Sequence, residues 1–176
     1  MYCMNVLKQF KKITTFIFDI DGVLTDGSLL VISGDQQIRR MNVKDGLGLQ
    51  MAIRNGYTVM ILSGGYSAPA KERLEKLGIV EIHMGITDKK QFVNDWLEDK
   101  NIDWNETLYM GDDLPDLALL QTVGLSCCPA DAVMEIKQIA KYISHIKGGE
   151  GCVRDVIEKV LKVNDHWHLE PGIVSK

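Results

Sequence analysis

Two aspartates one residue apart, Asp19 and Asp21, end the apolar run Thr15-Phe16-Ile17-Phe18 and are followed at once by Gly22. Two carboxylates this close repel unless a cation or a shared proton intervenes. Three further chemically capable groups follow along the chain. They are Ser63 ahead of Gly64 and Gly65, Lys89, and the acidic stretch Gly111-Asp112-Asp113-Leu114-Pro115-Asp116. Carboxylates, a hydroxyl and one lysine suit a phosphate held with a hard cation. Mg²⁺ prefers a few carboxylate or carbonyl oxygens, the substrate phosphate and retained waters. On this reading Asp19 attacks phosphorus as a covalent nucleophile. Asp21 protonates the leaving oxygen and then deprotonates the attacking water. Asp112 completes the metal shell. Ser63 and the amides near Gly64 and Gly65 hold phosphate oxygens, helped by the helix that follows. Lys89 neutralises the charge that builds in the transition state.

Each group taken alone has a plainer explanation. Asp and Gly favour turns, and acids near Asp112 favour a helix N-terminus. Lys89 is harder to dismiss, because a cation in the first turn of a helix is slightly unfavourable. What argues for chemistry is that all four groups stand at strand ends or helix starts, where an open parallel sheet collects its ligands.

The elements that must position them alternate along the chain. The run before Asp19 reads as a buried parallel strand. Leu29–Ile32 and Gln37–Met41, separated by Ser33-Gly34-Asp35, read as a β-hairpin. Asn42 to Gly46 opens a helix over Leu47–Arg54, stopped at Asn55-Gly56. Tyr57–Leu62 is a strand, and Ser67 caps a helix to about Leu77 with Pro69 in its first turn. Ile79–His83 is a short strand, and Asp88 caps a helix to about Lys100 whose stripe is Phe92, Val93, Trp96 and Leu97. The remaining predicted elements are strand Thr107–Met110, helix Leu117–Gln121, strand Val123–Cys127, helix Ala130–Ile136, strand Tyr142–Ser144, the loop Gly148 to Gly151 and helix Val153–Val163. The pattern predicts an α/β fold, a doubly wound and mostly parallel sheet with helices on both faces. One domain over residues 1–176 is expected, with an N-terminal arm at 1–12 and a tail at 164–176.

The 176 residues carry a net charge of −4. Lysine and arginine are scattered, which leaves no basic footprint for nucleic acid. No apolar run approaches the ~20 residues of a membrane span, and the N-terminus shows no apolar signal core. Cys3, Cys127, Cys128 and Cys152 lack zinc spacing and read as free thiols in a reducing cytoplasm. In the tail, His166 and His168 read as polar residues near a subunit contact rather than as metal ligands.

With these motifs in order, the chain resembles the haloacid dehalogenase superfamily of phosphatases. Asp19-Ile20-Asp21 matches its first motif, Ser63 its second, Lys89 its lysine motif and Gly111 to Asp116 its acidic motif. The resemblance implies a Rossmann-like fold and Mg²⁺ held by Asp19, Asp21 and Asp112, with Asp21 contributing its main-chain oxygen. Asp113 and Asp116 become supporting acids, one of them orienting Lys89. Asp19 to Gly27, Asn42 to Gly48 and Gly148 to Asp155 look like the phosphatases of 3-deoxy-D-manno-octulosonate (KDO) 8-phosphate. These are capless cytoplasmic tetramers of lipopolysaccharide synthesis, whose hairpin and C-terminal tail meet neighbouring subunits. The intervals from Asp21 to Ser63 and from Ser63 to Asp112 leave no room for a cap domain, and a lone capless pocket is open to water.

The resemblance extends substrate contact to Thr25, Asp45, Gly65, Arg73 and Gly172. One departure stands out: Gly65 lies where such phosphatases commonly carry an arginine, the natural clamp for a sugar carboxylate. Arg73, Lys71, Arg39, Arg40 or Lys44, from this chain or a neighbour, are the candidates to replace that charge. Phosphatases of nine-carbon keto-sugar-acid 9-phosphates share the scaffold and are the alternative. A receiver domain and a catalytically inactive binding module are the distant alternatives. Receivers place adjacent acids after the first strand, whereas this chain has Asp-x-Asp.

Overall fold

The computed structural model describes residues 6–32 and 37–168. A short helix, α1 (Val6–Phe10), leads into β1 (Thr15–Phe18), which is buried on both faces. Two exposed antiparallel strands, β2 (Leu30–Val31) and β3 (Gln37–Ile38), pair Leu30 with Ile38 and Val31 with Gln37. The hairpin is thus present but shorter than its apolar runs suggest, and its predicted turn lies outside the described residues. Then come α2 (Val43–Arg54), β4 (Thr58–Ser63), α3 (Ala68–Lys76), β5 (Glu81–Met84), α4 (Lys89–Lys100) and β6 (Thr107–Met110). The chain closes with α5 (Leu117–Leu120), β7 (Leu125–Cys128), α6 (Met134–Ile139), β8 (Tyr142–Ile143) and α7 (Cys152–Val163).

Most boundaries follow capping chemistry. Asn42, Ser67 and Asp88 each accept an amide of the first turn of α2, α3 and α4, satisfying donors that a helix leaves open. Because Asn42 is the cap, α2 begins at Val43, a turn earlier than the expected Leu47. Helix α6 starts at Met134 rather than Ala130, since Pro129 to Ala132 form a turn closed by the Ala132 amide on the Pro129 carbonyl.

Six strands form one parallel sheet in the order β5-β4-β1-β6-β7-β8. The alternation within β1 divides the core. Phe16 and Phe18 face the layer of α1, α2, α3 and α7, while Ile17 faces α4, α5 and α6. The chain runs outward from β1 through β4 and β5, then returns to β6 on the other side of β1. That reversal makes a crevice beyond the carboxyl ends of β1 and β6, the place where open α/β sheets bind ligands. No described helix is long and apolar enough to cross a membrane.

Candidate active site

Asp19 leaves β1 with its amide bonded to the Met110 carbonyl of β6. The next turn is tight. Gly22 has φ +85°, and a Cβ there would lie 2.0 Å from Asp112 Oδ2. Only glycine lets the Asp112 carboxylate pack against this backbone. Thr25 braces the loop from beneath: its Oγ1 accepts the amides of Gly22 and Gly27 and donates to the Ile20 carbonyl.

The crevice is a cavity of about 460 Å³ that Asp19, Asp21, Ser63, Lys89, Asp112 and Asp116 all line. The four sequence motifs therefore meet, although they are spread over 98 positions from Asp19 to Asp116. Lys89, at the start of α4 and 5% exposed, places Nζ 3.1 Å from Asp19 Oδ1 and 2.6 Å from Asp116 Oδ1. This answers why a cation opens a helix: two carboxylates outweigh the unfavourable dipole. Burial pulls the Lys89 ammonium down, but Asp19 and Asp116 outweigh it and hold it above the usual lysine range.

Asp116 is saturated. Its Oδ1 accepts Lys89 and the Tyr109 hydroxyl, each at 2.6 Å, and its Oδ2 accepts the Asp112 amide at 2.9 Å and the Asp113 amide at 3.4 Å. Asp113 is exposed and accepts the Leu114 amide at 2.7 Å. Asp19, Asp112 and Asp116 bring one oxygen each within 4.8 Å of one another. Since Asp116 is already used by four donors, the oxygens that fit a cation are those of Asp19 and Asp112. The Asp21 carboxylate points elsewhere, to Arg39.

The electrostatics ask for that cation. Asp19 is pushed up to about 7, first by burial and then by Asp116, against the pull of Lys89. Asp112 is also pushed up to about 7, by burial and then by Asp116, Asp19 and Asp113. Lys89 alone does not balance three clustered acids, and a divalent ion lowers such values by favouring the charged forms. The donor set, all hard oxygens, fits Mg²⁺.

On the facing wall, Ser63 ends β4 buried, and its Oγ accepts the Gly65 amide at 3.1 Å. The hydroxyl keeps its own proton to donate. The Gly65 amide is thereby used within the loop, while Gly64 and Gly65 both line the cavity. Ile86 and Thr87, from the loop before α4, complete this wall.

Other expected contacts fall elsewhere. Thr25 is fully buried under the loop. Asp45 is 1% exposed, on α2, and its Oδ1 accepts the Arg154 amide at 2.7 Å, joining α2 to the start of α7. Neither lines the cavity. Arg73, on α3, does not line this cavity but a neighbouring groove, with Gln37, Arg39 and Met41. Gly172 lies outside the described residues. His166 bonds the Tyr57 hydroxyl through Nδ1 at 2.8 Å.

One residue escaped the sequence reading, and another was named there without being singled out. Tyr109 lies two positions before Gly111, where the acidic motif opens, and is fully buried under Asp116; a tyrosine within an apolar strand was the available signal, since its hydroxyl needs a partner. Arg39 was only one of several scattered cations, and no periodicity singled it out.

The haloacid dehalogenase-like hydrolase family matches residues 71–154. The chain is 34% identical over 157 residues to the 3-deoxy-D-manno-octulosonate 8-phosphate phosphatase KdsC of Salmonella typhi, covering 89% of this chain and 84% of that protein. Among solved structures, that phosphatase from Yersinia pestis superposes with a TM-score of 0.90 at 31% identity, covering 93% of this chain and 88% of that one. The phosphatase from Moraxella catarrhalis, in complex with magnesium ion, phosphate ion and KDO, gives 0.89 at 33% identity, covering 93% and 95%.

Proposed function

The chain belongs to the haloacid dehalogenase-like hydrolases, and from that premise we propose that it is a Mg²⁺-dependent phosphatase that converts KDO 8-phosphate to KDO and phosphate. The observation that carries the reaction type is the buried Asp19 carboxylate. It stands 3.1 Å from Lys89 Nζ and beside Asp112, at the end of the central strand. Relatives of this name match along most of the chain, and this supports the choice of substrate.

Asp19 and Asp112, with the main-chain oxygen of Asp21, would hold Mg²⁺, which would supply neutralisation of the phosphate charge. Asp19 attacks phosphorus; the new bond is Asp19 oxygen to phosphorus, and the broken bond joins phosphorus to the sugar oxygen. Asp21 gives that oxygen its proton. Water then attacks the aspartyl phosphate, its proton passes to Asp21, and Asp19 is released with inorganic phosphate. Ser63 donates to a phosphate oxygen, and Lys89 offsets the charge that grows there. Asp116 and Tyr109 orient Lys89; Asp113 caps its own turn.

We further propose a cytoplasmic homotetramer. The hairpin exposes Leu29, Leu30, Val31 and Ile38, apolar side chains that a neighbouring subunit would cover. The product KDO would serve lipopolysaccharide synthesis. The test is phosphate release from KDO 8-phosphate with Mg²⁺, beside nine-carbon keto-sugar-acid 9-phosphates and simple sugar phosphates. Asp19→Asn should lose at least about 10³-fold in kcat, as expected for a removed nucleophile. Ordinary turnover in that variant would refute the assignment.

A further inference from the structure

Arg39 follows β3 and reaches back 18 positions to Asp21. Its Nε donates to Asp21 Oδ1 at 2.7 Å and its Nη2 to Asp21 Oδ2 at 3.3 Å. This is the two-point fork by which a guanidinium holds a carboxylate. The arginine side chain is only 7% exposed, while the Asp21 side chain is 39% exposed. The clamp occupies both oxygens of the residue that must hand over a proton.

The position of the guanidinium is as telling as its partner. A Cβ on Gly65 would stand 3.4 Å from Asp21 Oδ2, 3.6 Å from Arg39 Nη2 and 3.7 Å from Ser63 Oγ. A methyl group fits there; a longer side chain would take the space that Arg39 now fills. Glycine at 65 and arginine at 39 are therefore matched by volume. Arg39 also lines a second cavity of about 450 Å³ with Gln37, Tyr66 and Ser67. That cavity holds no acid and abuts the phosphate-binding one through Arg39 and the Gly65–Tyr66 turn. It offers a hydroxyl, an amide and a phenol to a polyhydroxylated leaving group.

We propose that Arg39 is the specificity residue of this site: it exchanges the Asp21 carboxylate for the carboxylate of the substrate, held at the mouth of the second cavity, and in doing so frees Asp21 for proton transfer. The inference rests on the reading above that the substrate is a sugar-acid phosphate. Binding the correct anion would then complete the catalytic constellation, so discrimination appears in turnover as well as in binding. An ester without a second anion leaves the clamp on Asp21 in place.

The test compares KDO 8-phosphate with D-arabinose 5-phosphate, which has no carboxylate, in the full-length enzyme with Mg²⁺. The quantity read is the ratio of the two kcat/KM values. Arg39→Gln should lower that ratio about 10²-fold, the scale of a hydrogen-bonded charged contact. The fall should lie on the KDO 8-phosphate side, with the ester that lacks a carboxylate losing less than it. Arg39→Lys restores the charge without the fork and should recover part of the ratio. It also guards against a folding defect, which would depress both substrates by one factor. A ratio unchanged in Arg39→Gln overturns the proposal and leaves the assigned reaction intact. A wild-type enzyme with no preference for the acid fails the functional reading first, and the role of Arg39 with it.

Discussion

Asp45 separates two accounts of one residue, and its protonation can be measured. The carboxylate is 1% exposed on α2, its Oδ1 accepts the Arg154 amide, and its Oδ2 is buried with no hydrogen-bond partner. Burial pushes its pKa up to about 6, against the amides of Arg154, Gly151 and Val153 that favour the anion. In the unfolded chain the ordinary value is 3.8. The folded protein therefore holds this proton more tightly than the unfolded one, and stability falls as pH rises through about 6. A gap of about 2 in pKa corresponds to about 3 kcal/mol in full. Roughly 2 kcal/mol of that lies between about pH 4.5 and about pH 7.5.

Asp45→Asn keeps the acceptor for Arg154 and removes the titration. Thermal melts of both proteins in excess Mg²⁺ isolate the group, because every other acid is shared. The difference in Tm, variant minus wild type, should rise by ~4–8 °C from about pH 4.5 to about pH 7.5, at ~2–4 °C per kcal/mol for a chain of this size. Turnover of KDO 8-phosphate at neutral pH should change little. A pH-independent Tm difference would refute the argument from burial. A large rise in KM with no such trend would restore Asp45 to the substrate.

Gly22→Ala places a methyl group at φ +85° and against Asp112 Oδ2. It should cost about 1–2 kcal/mol from the left-handed backbone and raise the Mg²⁺ concentration needed for half-maximal activity, read by titration with the metal. Chelation with EDTA should abolish activity. It should also lower Tm increasingly as pH rises through about 7, because Asp19 and Asp112 must then ionise without a cation; a Tm gap between Mg²⁺ and EDTA that is flat with pH would contradict this. Tyr109→Phe removes one of two donors to Asp116 Oδ1 and should destabilise the fold by about 1–2 kcal/mol in chemical denaturation. Lys89 retains its 3.1 Å contact with Asp19, so kcat should fall only about tenfold.

The site was legible in the chain because its residues are tied to strand ends. Asp19 and Asp21 follow an apolar run, Ser63 ends another, and Asp112 follows a third. In a parallel sheet such positions share one edge whatever the packing between them. Lys89 was legible through its electrostatic cost at a helix start, which the structure resolves with two carboxylates. Strand boundaries were less legible, because β7 and β8 are set by pairing with neighbours rather than by local preference.

Thr25, Asp45 and Arg39 show where that reading stops. Each is a polar residue near a motif, and nothing in its local sequence tells a braced loop from a substrate contact. Thr25 is spent on three bonds under the turn, and Asp45 on the amides of a helix more than a hundred positions away. Arg39 reaches the reaction only because the hairpin folds back over Gly65. The order of strands and helices, the chemistry of the four motifs and the need for a cation are written in the chain, since these follow from periodicity and charge within short segments. Which carboxylates remain open to the metal, which amides the loops use up, and which arginine faces Asp21 emerge only in the folded molecule. Those are contests among partners far apart in the chain, settled by distance and burial.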